Sequence, residues 1–431
     1  MRDRVGGRLL AGLLLICAFP AQAQLQVQVT RGVADPIAIA IVPFGDPMGG
    51  SGAIADVVTA DLERSGRFRA LPRSAMIETP SQASEVDAAD WRMLKVDYVL
   101  VGRWNALPGG GREIRYELVN VLTGQRALGE VLPVQGTRWR WAAHRIADAV
   151  HQRLLGIGGA FASRVAYVVA EGSGRAARYR LEVADSDGND PRVVLRSSMP
   201  IMSPTWSPDG ARLAYVSFES GLSAIYIQDL ATGQRSRVSA RSGINGSPAF
   251  SPDGRRLAVT LSRRDGNVDV YVLNLADQSL QRLTDSSAID TEPAFSPDGR
   301  MIYFTSDRGG RPQVYRVSVT GGAAERVTFD GAYNARPRVS PDGRHLATVT
   351  LEGGRYRIGW LDLERGNRAL LTPGSEDESP SIAPNGATLI YASKDGRRGV
   401  LETVSTDGAV RQRLAVGGGD LREPAWSPTL K

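Results

Sequence analysis

A short phrase built on Ser-Pro-Asp-Gly recurs through the second part of this chain and constrains its fold more strongly than any other feature. Counted from proline to proline, the phrase returns every 43 to 45 residues, the spacing expected of β-propeller blades. Ser, Pro, Asp and Gly in this order fit the successive positions of a type I turn. There are six copies, the last two degenerate, and they begin at Trp206, Phe250, Phe295, Val339, Ile382 and Trp426.

Each copy of the turn separates two predicted strands and is followed by two more. The segment after the turn alternates in polarity, as in Arg212–Ser217, which predicts a half-buried strand. A third strand such as Val268–Leu275 and a more polar fourth such as Leu280–Thr284 complete the unit. Four strands in each of six units predict a six-bladed β-propeller.

The two ends of the repeat are complementary. Three strands within Val165–Leu195 begin the repeat without an inner strand, and Glu423–Pro428 supplies an inner strand with no further strands after it. We expect the C-terminal strand to pair with the first blade, because closure removes the open sheet edges of the ring.

The region before the repeat alternates between strand and helix patterns, which predicts a small α/β domain. The sequence therefore divides into an export signal (1–23), a mature N-terminal segment (24–35), the α/β domain (36–158) and the propeller (159–431). The predicted elements of the α/β domain are strands Ile37–Phe44 and Tyr98–Gly102, a hairpin of Ile114–Val121 with Arg126–Val134, and helices Ile54–Arg64 and Trp139–Leu155.

The N-terminus has the layout of a secretory signal peptide. Three arginines precede the apolar run Leu9–Phe19, and an Ala-Gln-Ala site ends at Ala23, so the mature chain is expected to begin at Gln24. The apolar run is too short for a spanning helix, and we expect a mature protein that is not inserted in a membrane. Cys17, the only cysteine, leaves lipid modification open as an alternative to ordinary cleavage.

The distribution of charge argues against a nucleic-acid partner. The formal net charge is +6, and the basic residues are scattered in turns near acidic ones rather than forming a stripe with aromatic residues. Gly49–Ala53 lacks the final glycine of a nucleophile elbow, and the three histidines have no acidic neighbours at metal-ligand spacing. We expect no enzymatic activity, no cofactor and no metal.

A binding site is expected at the mouth of the central channel, where the loops that enter the inner strands converge. These loops mix apolar, amide, hydroxyl and acidic groups, which suits capture of a protein better than catalysis. A cation held there by carboxylates remains an alternative. Its ligands would be Asp290, Glu292, Glu378 and Glu423.

The mature N-terminus forms a second candidate surface. Leu25–Val29 alternates apolar and polar residues beside a free chain end. Such a strand pairs either with its own domain or with the sheet edge of another protein, and we favour its own domain.

Longer stretches add a resemblance to a known family. Ile201–Val216, Asn245–Phe250, Gly310–Tyr315 and Ser379–Gly386, together with the domain order, resemble the TolB family of the Tol-Pal system over essentially the whole mature chain. The resemblance implies a periplasmic protein that binds the outer-membrane lipoprotein Pal and the inner-membrane-anchored TolA. It also implies a role in outer-membrane integrity and in constriction of that membrane at cell division.

The resemblance further implies Pal contact at the propeller mouth and TolA contact within residues 24–35. The mouth residues assigned to Pal are Met202, Ser203, Ile244, Asn245, Ser247, Thr291, Glu292, Asn334, Glu378 and Glu423. The residues assigned to TolA are Gln24, Leu25, Val27, Val29, Val33 and Asp35.

Two other classes remain open, namely an exported propeller receptor for small ligands or glycans and an accessory domain of a propeller hydrolase. A hydrolase needs a Ser, His and Asp set, for which the sequence offers no clear nucleophile. A receptor predicts an aromatic cluster at the mouth, where Tyr333 is the main aromatic residue. We expect a monomer that binds other proteins.

Overall fold

The structure is a computed structural model, and it describes residues 27–29, 36–45, 52–108, 111–136, 138–262 and 266–430. An α/β domain precedes a six-bladed β-propeller, which confirms the predicted fold class. The expected signal peptide, Gln24, Leu25, Val33 and Asp35 lie outside the described residues. None of the helices in the described ranges combines the length and apolar character needed to span a membrane.

The α/β domain is built on one five-stranded sheet, and a short strand, β1 (Val27–Val29), precedes it. In chain order the elements of the domain are β2 (Ile37–Ile41), α1 (Gly52–Arg64), β3 (Phe68–Ala70), α2 (Ala88–Met93), β4 (Tyr98–Ala106), β5 (Arg112–Asn120), β6 (Arg126–Val134) and α3 (Trp139–Leu155). The strands lie in the order β3-β2-β4-β5-β6, with β2 parallel to both of its neighbours. The sequence patterns predicted most of these elements but missed β3 and α2.

The alternation of side chains along β2 explains how this domain is layered. Ile39 and Ile41 point to the face covered by α1 and α3, whereas Ala40 belongs to the cluster on the other face, which also includes the buried Trp91 of α2. Because both faces of the sheet are covered at β2, this strand is apolar at every position. The domain therefore has two core layers, and α3 holds the one nearer the propeller.

The first three blades follow α3 and are each four-stranded and antiparallel. Blade 1 contains β7 (Arg164–Glu171), β8 (Arg178–Asp185) and β9 (Arg192–Ser197); blade 2 contains β10 (Ile201–Trp206), β11 (Arg212–Ser217), β12 (Ala224–Asp229) and β13 (Arg235–Ser239); blade 3 contains β14 (Asn245–Phe250), β15 (Arg256–Ser262), β16 (Val268–Asn274) and β17 (Leu280–Arg282).

The next three blades repeat the same arrangement. Blade 4 contains β18 (Asp290–Phe295), β19 (Met301–Ser306), β20 (Gln313–Ser318) and β21 (Glu325–Arg326); blade 5 contains β22 (Asn334–Val339), β23 (His345–Glu352), β24 (Arg355–Asp362) and β25 (Arg368–Leu370); blade 6 contains β26 (Glu378–Ile382), β27 (Thr388–Asp395), β28 (Arg398–Ser405) and β29 (Val410–Arg413).

The Ser-Pro-Asp-Gly phrases form the turns between the first and second strands of their blades, as predicted. In blade 2, Gly210 N donates to Ser207 O at 2.9 Å, and Ser207 Oγ donates to the Asp209 carboxylate at 2.5 Å. The same serine oxygen accepts from the Arg212 amide at 2.9 Å. The serine and aspartate therefore satisfy the polar groups of the turn, which explains why the phrase recurs.

The C-terminal strand β30 (Asp420–Trp426) closes the ring. It pairs antiparallel with β7, with Leu421 opposite Val169 and Trp426 opposite Val165, and so forms the inner strand of blade 1. Trp206 of the next blade donates from Nε1 to Ala425 O at 2.9 Å. This arrangement confirms the closure expected from the sequence.

The N-terminal strand β1 pairs with the propeller, so the expectation that it pairs with its own domain was wrong. It lies antiparallel to β29, with Val27 opposite Gln412 and Val29 opposite Val410. The reason is local geometry, because the next described strand of the chain begins beside this edge. The amide of Ile37 donates to Arg67 O at 2.9 Å, and the Arg67 guanidinium pairs with Asp407 at 2.5 Å.

Candidate functional site at the channel mouth and the N-terminal strand

One residue in each inner strand, directly before its proline, adopts a left-handed backbone conformation with φ between 46° and 56°. The strand pairing shifts register at each of these points, which is the signature of a β-bulge. Such a conformation is costly for a residue other than glycine, and six equivalent cases indicate a built feature. The residues are Ser203, Ser247, Glu292, Arg336, Ser379 and Glu423.

These bulges bring residues from separate blades into contact across the channel. Arg336 Nε lies 2.9 Å from Glu292 Oε1, and its Nη2 lies 3.1 Å from Glu423 Oε1. Arg336 also donates to Ser379 Oγ, and its backbone amide donates to the Glu292 carboxylate at 2.9 Å. The guanidinium therefore closes the channel just below the mouth and joins four blades, and we call this group the channel plug.

Arg336 takes the place of the cation that the sequence left open as an alternative, because its guanidinium supplies the positive charge between Glu292 and Glu423. Burial lowers the pKa of Arg336, but Glu423 and Glu292 outweigh that effect and raise it above its ordinary value. Asp290 does not join this group, since it is buried and pairs with Arg308 at 2.8 Å. Arg336 thus occupies the space between Glu292 and Glu423, and the four carboxylates proposed as cation ligands do not converge.

The structure exposes some of the predicted mouth residues and buries others. The side chains of Met202 and Ile244 are 40% and 49% exposed, and Glu378 is also exposed. Ser203, Ser247, Thr291, Glu292 and Glu423 are half-buried around the plug.

Asn245 and Asn334 require a correction, because both are fully buried and cannot touch a partner in this structure. Asn245 Nδ2 donates to Arg241 O at 2.7 Å, and Asn334 Nδ2 donates to Asp330 O at 2.7 Å. These amides hold the loops that enter β14 and β22 in shape. The sequence analysis assigned these polar residues to partner contact, but their side-chain amides instead satisfy buried backbone carbonyls.

Two exposed apolar residues at the mouth were missed. Leu222 is 63% exposed in the β11–β12 loop, and Tyr356 is 40% exposed near the β23–β24 turn, where it contacts Tyr333 edge-on at 5.5 Å. In an antiparallel blade, the loop between the second and third strands returns to the end where the first strand begins. The predicted order of strands in each blade was therefore enough to place the loops between second and third strands at the mouth.

The N-terminal strand covers the outer edge of blade 6. The register joins three residue pairs, from Val27 opposite Gln412 to Val29 opposite Val410. Gln412 Nε2 also donates to Arg64 O at 2.8 Å, so β29 contacts both the N-terminal strand and the α/β domain. This ladder of three residues is short, since strands in globular proteins usually have about five or six residues.

Comparison with known proteins identifies the family to which this architecture belongs. Residues 151–430 match the TolB β-propeller domain, and residues 25–127 match the TolB amino-terminal domain. The chain belongs to the TolB family. The Tol-Pal system protein TolB of Xanthomonas campestris pv. campestris is 49% identical over 427 residues, which cover 97% of both chains.

Other TolB relatives give the same result. The Tol-Pal system protein TolB of Xanthomonas oryzae pv. oryzae is 49% identical over 423 residues, 96% of each chain. The crystal structure of TolB from Acinetobacter baumannii superimposes with a TM-score of 0.85 at 41% identity, covering 94% of this chain and 100% of that one. The family resemblance stated from the sequence is confirmed.

A partly buried group of charges joins the two TolB domains, and it was not predicted from the sequence. His144 of α3 lies with Nδ1 2.6 Å from Asp61 Oδ2 and Nε2 3.6 Å from Asp185 Oδ2. Arg140 reaches the propeller at 3.1 Å from Asp185 and 2.6 Å from Asp187. We call this group the interdomain charge cluster; its members are Asp61, Arg64, Arg140, His144, Asp185 and Asp187.

The charges of this cluster are mutually compensating. Burial lowers the pKa of His144, but the Asp61 and Asp185 carboxylates overcome that effect and raise it to about 9. Burial raises the pKa of Asp187, yet Arg64 and His144 bring it down to about 2. Asp61, His144 and Asp187 stand close enough together to hold a metal ion, but the neighbouring guanidiniums already neutralise these carboxylates. The arrangement is best described as an ion-paired contact between the domains.

Proposed function

We propose that this chain is a periplasmic, non-catalytic component of the Tol-Pal system that links the outer-membrane lipoprotein Pal to TolA of the inner membrane. In this role it helps to maintain outer-membrane integrity and supports constriction of that membrane at cell division. Membership of the TolB family supports the proposal, as does the name of its relatives, Tol-Pal system protein TolB. The observation that carries it is the combination of an exposed apolar rim at the channel mouth with a short N-terminal strand paired to the edge of blade 6.

The first surface is the channel mouth, which we assign to Pal. Met202, Leu222, Ile244 and Ile289 expose between 40% and 63% of their surface on adjacent blades. Apolar side chains on a rigid rim, above a polar floor, are the usual composition of a protein-binding centre. Because Arg336 closes the channel beneath them, the partner docks on the mouth rather than threading through it.

The second surface is the N-terminal segment of residues 24–35, which we assign to TolA. Its strand β1 occupies an edge of blade 6 through three residue pairs. Release of so short a ladder leaves an unpaired strand, which is available to add to the sheet of another protein. The segment therefore alternates between an edge-bound state and a partner-bound state, and the balance shifts with any ligand that has different affinities for the two states.

The experiment that tests this proposal is calorimetric titration of residues 24–431 with the soluble domains of Pal and of TolA. We expect Ile244→Asp to weaken Pal binding at least tenfold, because it places a charge in an apolar contact. Thr291→Arg, at the half-buried rim of the plug, should have the same effect. Removal of residues 24–35 should abolish TolA binding and leave Pal binding intact.

A matched control is Leu122→Asp, which places the same charge on an apolar side chain that is 78% exposed in the α/β domain. It should bind both partners like the unmodified protein. Failure of the intact protein to bind Pal would reject the Pal assignment and bring forward the receptor and hydrolase alternatives. Equal Pal binding by Ile244→Asp and Leu122→Asp would move the Pal site away from the mouth.

A further inference from the structure

The propeller channel contains a cavity on the side of the plug away from the mouth. Its volume is about 210 Å³, and its lining includes Arg338, Thr205, Ser381 and the two residues Pro208 and Pro428. These prolines belong to the turns that follow the inner strands, at the end of the channel away from the mouth. The cavity therefore lies on the side of the plug away from the surface assigned to Pal.

Arg338 is the one charged side chain in its ring of the channel. It lies two residues after Arg336 in β22, and the equivalent positions of the other five inner strands carry small uncharged side chains. Those five residues are Thr205, Ala249, Ala294, Ser381 and Ala425.

The guanidinium of Arg338 has no counter-ion at close range. Its Nη1 donates to Pro337 O at 2.9 Å, and no ion pair to Arg338 is found among the residues that the structure describes. The acidic groups that act on the pKa of Arg338, Glu292 and Glu423, are already paired with Arg336. Burial and repulsion by Arg336 lower the pKa of Arg338, and together they outweigh the opposing effect of Glu292 and Glu423.

The rest of the cavity wall suits an anion. No acidic residue lines the cavity, whereas the hydroxyl-bearing residues Thr205 of blade 2 and Ser381 of blade 6 are part of its lining. Ser381 Oγ accepts a hydrogen bond from the Trp426 amide at 2.9 Å. The hydroxyl proton of Ser381 points away from this amide and is available to another acceptor. A serine, a threonine and an arginine on three different blades supply donors from three directions.

We propose that this cavity is a binding site for a small tetrahedral oxyanion of the phosphate or sulfate class. Arg338 pairs with two of the oxygens of the anion, as a guanidinium does with phosphate, and Thr205 and Ser381 donate to the others. A planar carboxylate would use fewer of these donors. A buried water needs roughly 10–15 Å³ of such volume, and the cavity has about 210 Å³. The cavity is therefore large enough to hold the anion together with some of its water molecules.

The test is titration of residues 24–431 with inorganic phosphate at pH 7.5, followed by calorimetry and tryptophan fluorescence. Ionic strength is held constant with NaCl, which removes general screening as an explanation. We expect saturable binding of one phosphate per chain and at least a tenfold loss of affinity in Arg338→Met. The control variant Arg237→Met, at an exposed position of β13, should bind like the unmodified protein.

Thermal unfolding gives an independent measurement with a distinct signature. Arg338→Met removes an uncompensated charge, so without phosphate this variant should be at least as stable as the unmodified protein. Excess phosphate should raise the melting temperature of the unmodified protein and leave that of the variant unchanged, since only a ligand that binds the folded state stabilises it.

Conservative variants cover the case in which Arg338→Met fails to fold. Arg338→Lys keeps the charge without the two-pronged geometry and should bind phosphate with intermediate affinity. Thr205→Val should weaken binding less than loss of the arginine. The proposal is overturned if the unmodified protein shows no saturable phosphate binding, or if Arg338→Met and Arg338→Lys both bind phosphate as tightly as it does.

Discussion

The imidazole of His144 in the α/β domain lies 3.6 Å from the carboxylate of Asp185 in the propeller. On its other side, Nδ1 is 2.6 Å from Asp61, which belongs to the same domain as the histidine. The ring therefore carries a positive charge between two carboxylates, one from each domain. Since Arg140 of the same helix also pairs with Asp185, the contact fixes α3 against blade 1.

The stability of the protein should fall as the pH rises above neutrality. The folded-state pKa of His144, about 9, lies above the ordinary value of 6.5. The stabilisation by its charge is therefore complete below pH 6.5 and is lost as pH rises through 9. A shift of this size corresponds to at most about 3 kcal/mol of unfolding free energy, measured by denaturant titration between pH 6.5 and 9.5.

The variant His144→Gln should flatten this pH dependence, whereas His151→Gln should preserve it. His151 is also buried on α3, but its pKa is lowered by burial, so it is neutral throughout the same range. Burial raises the pKa of Asp148 to about 6, which places its titration below the range. An unchanged slope in His144→Gln would contradict the role given to this histidine.

Replacement of Arg336 should destabilise the propeller. Arg336→Met leaves the half-buried carboxylates of Glu292 and Glu423 without a counter-ion, with an expected cost of roughly 2–3 kcal/mol. Adding Glu292→Gln and Glu423→Gln should recover much of this loss. As a comparison, Arg235→Met breaks the more exposed pair with Glu219 and should cost about 1 kcal/mol or less by the same denaturant titration. Equal costs for the two arginines would show that the channel plug is not a special feature.

Gly66 should be sensitive to the smallest substitution because of its contact with blade 6. It has φ +68°, and a Cβ there would lie 2.3 Å from Val410 Cγ2. Gly66→Ala should cost more than the roughly 1–2 kcal/mol of the left-handed conformation alone. Gly124→Ala, at φ +67° with nothing within 4 Å, isolates that backbone cost. The double variant Gly66→Ala, Val410→Ala should regain part of the difference in melting temperature.

Truncation before Pro424 should destabilise the whole ring. It removes half of β30, including the Ala425 carbonyl that accepts from Trp206 and the Trp426 indole that donates to Ser163 Oγ at 2.7 Å. A loss of several kcal/mol lowers the melting temperature by roughly 10 °C or more, since 1 kcal/mol corresponds to about 2–4 °C in a large domain. Truncation after Pro428 spares the strand and serves as the control. An unchanged melting temperature in the variant truncated before Pro424 would disprove closure by this strand.

The prediction from sequence succeeded where the determining interactions are local. Ser207, Asp209 and Gly210 satisfy their own turn, so the repeat reports a turn wherever it occurs. Helix α3 was predicted with its observed ends, Trp139 and Leu155, because a glycine at φ +74° follows it. The short elements β3 and α2 were missed, since three or six residues carry too little periodicity.

The sequence predicted the position of the mouth but not the roles of its residues. The loops meet as expected, yet Asn245 and Asn334 turn inward and Leu222 and Tyr356 face outward. A loop sequence gives the polarity of each side chain, whereas burial depends on which neighbouring blade lies beside it. The channel plug illustrates this, because Arg336 of blade 5 meets Glu423 only when ring closure places β30 in blade 1, on the other side of blade 6.

By itself the sequence determined the six blades, the closing strand and the family, because a periodic pattern and its turns are encoded within each repeat. Tertiary structure decided the edge to which β1 pairs, the partners of Arg336 and the charge on His144. Each of these depends on groups far apart in the chain, such as Asp61 and Asp185 around one imidazole. The energy of such contacts depends on distance and burial, and the order of residues along the chain specifies neither.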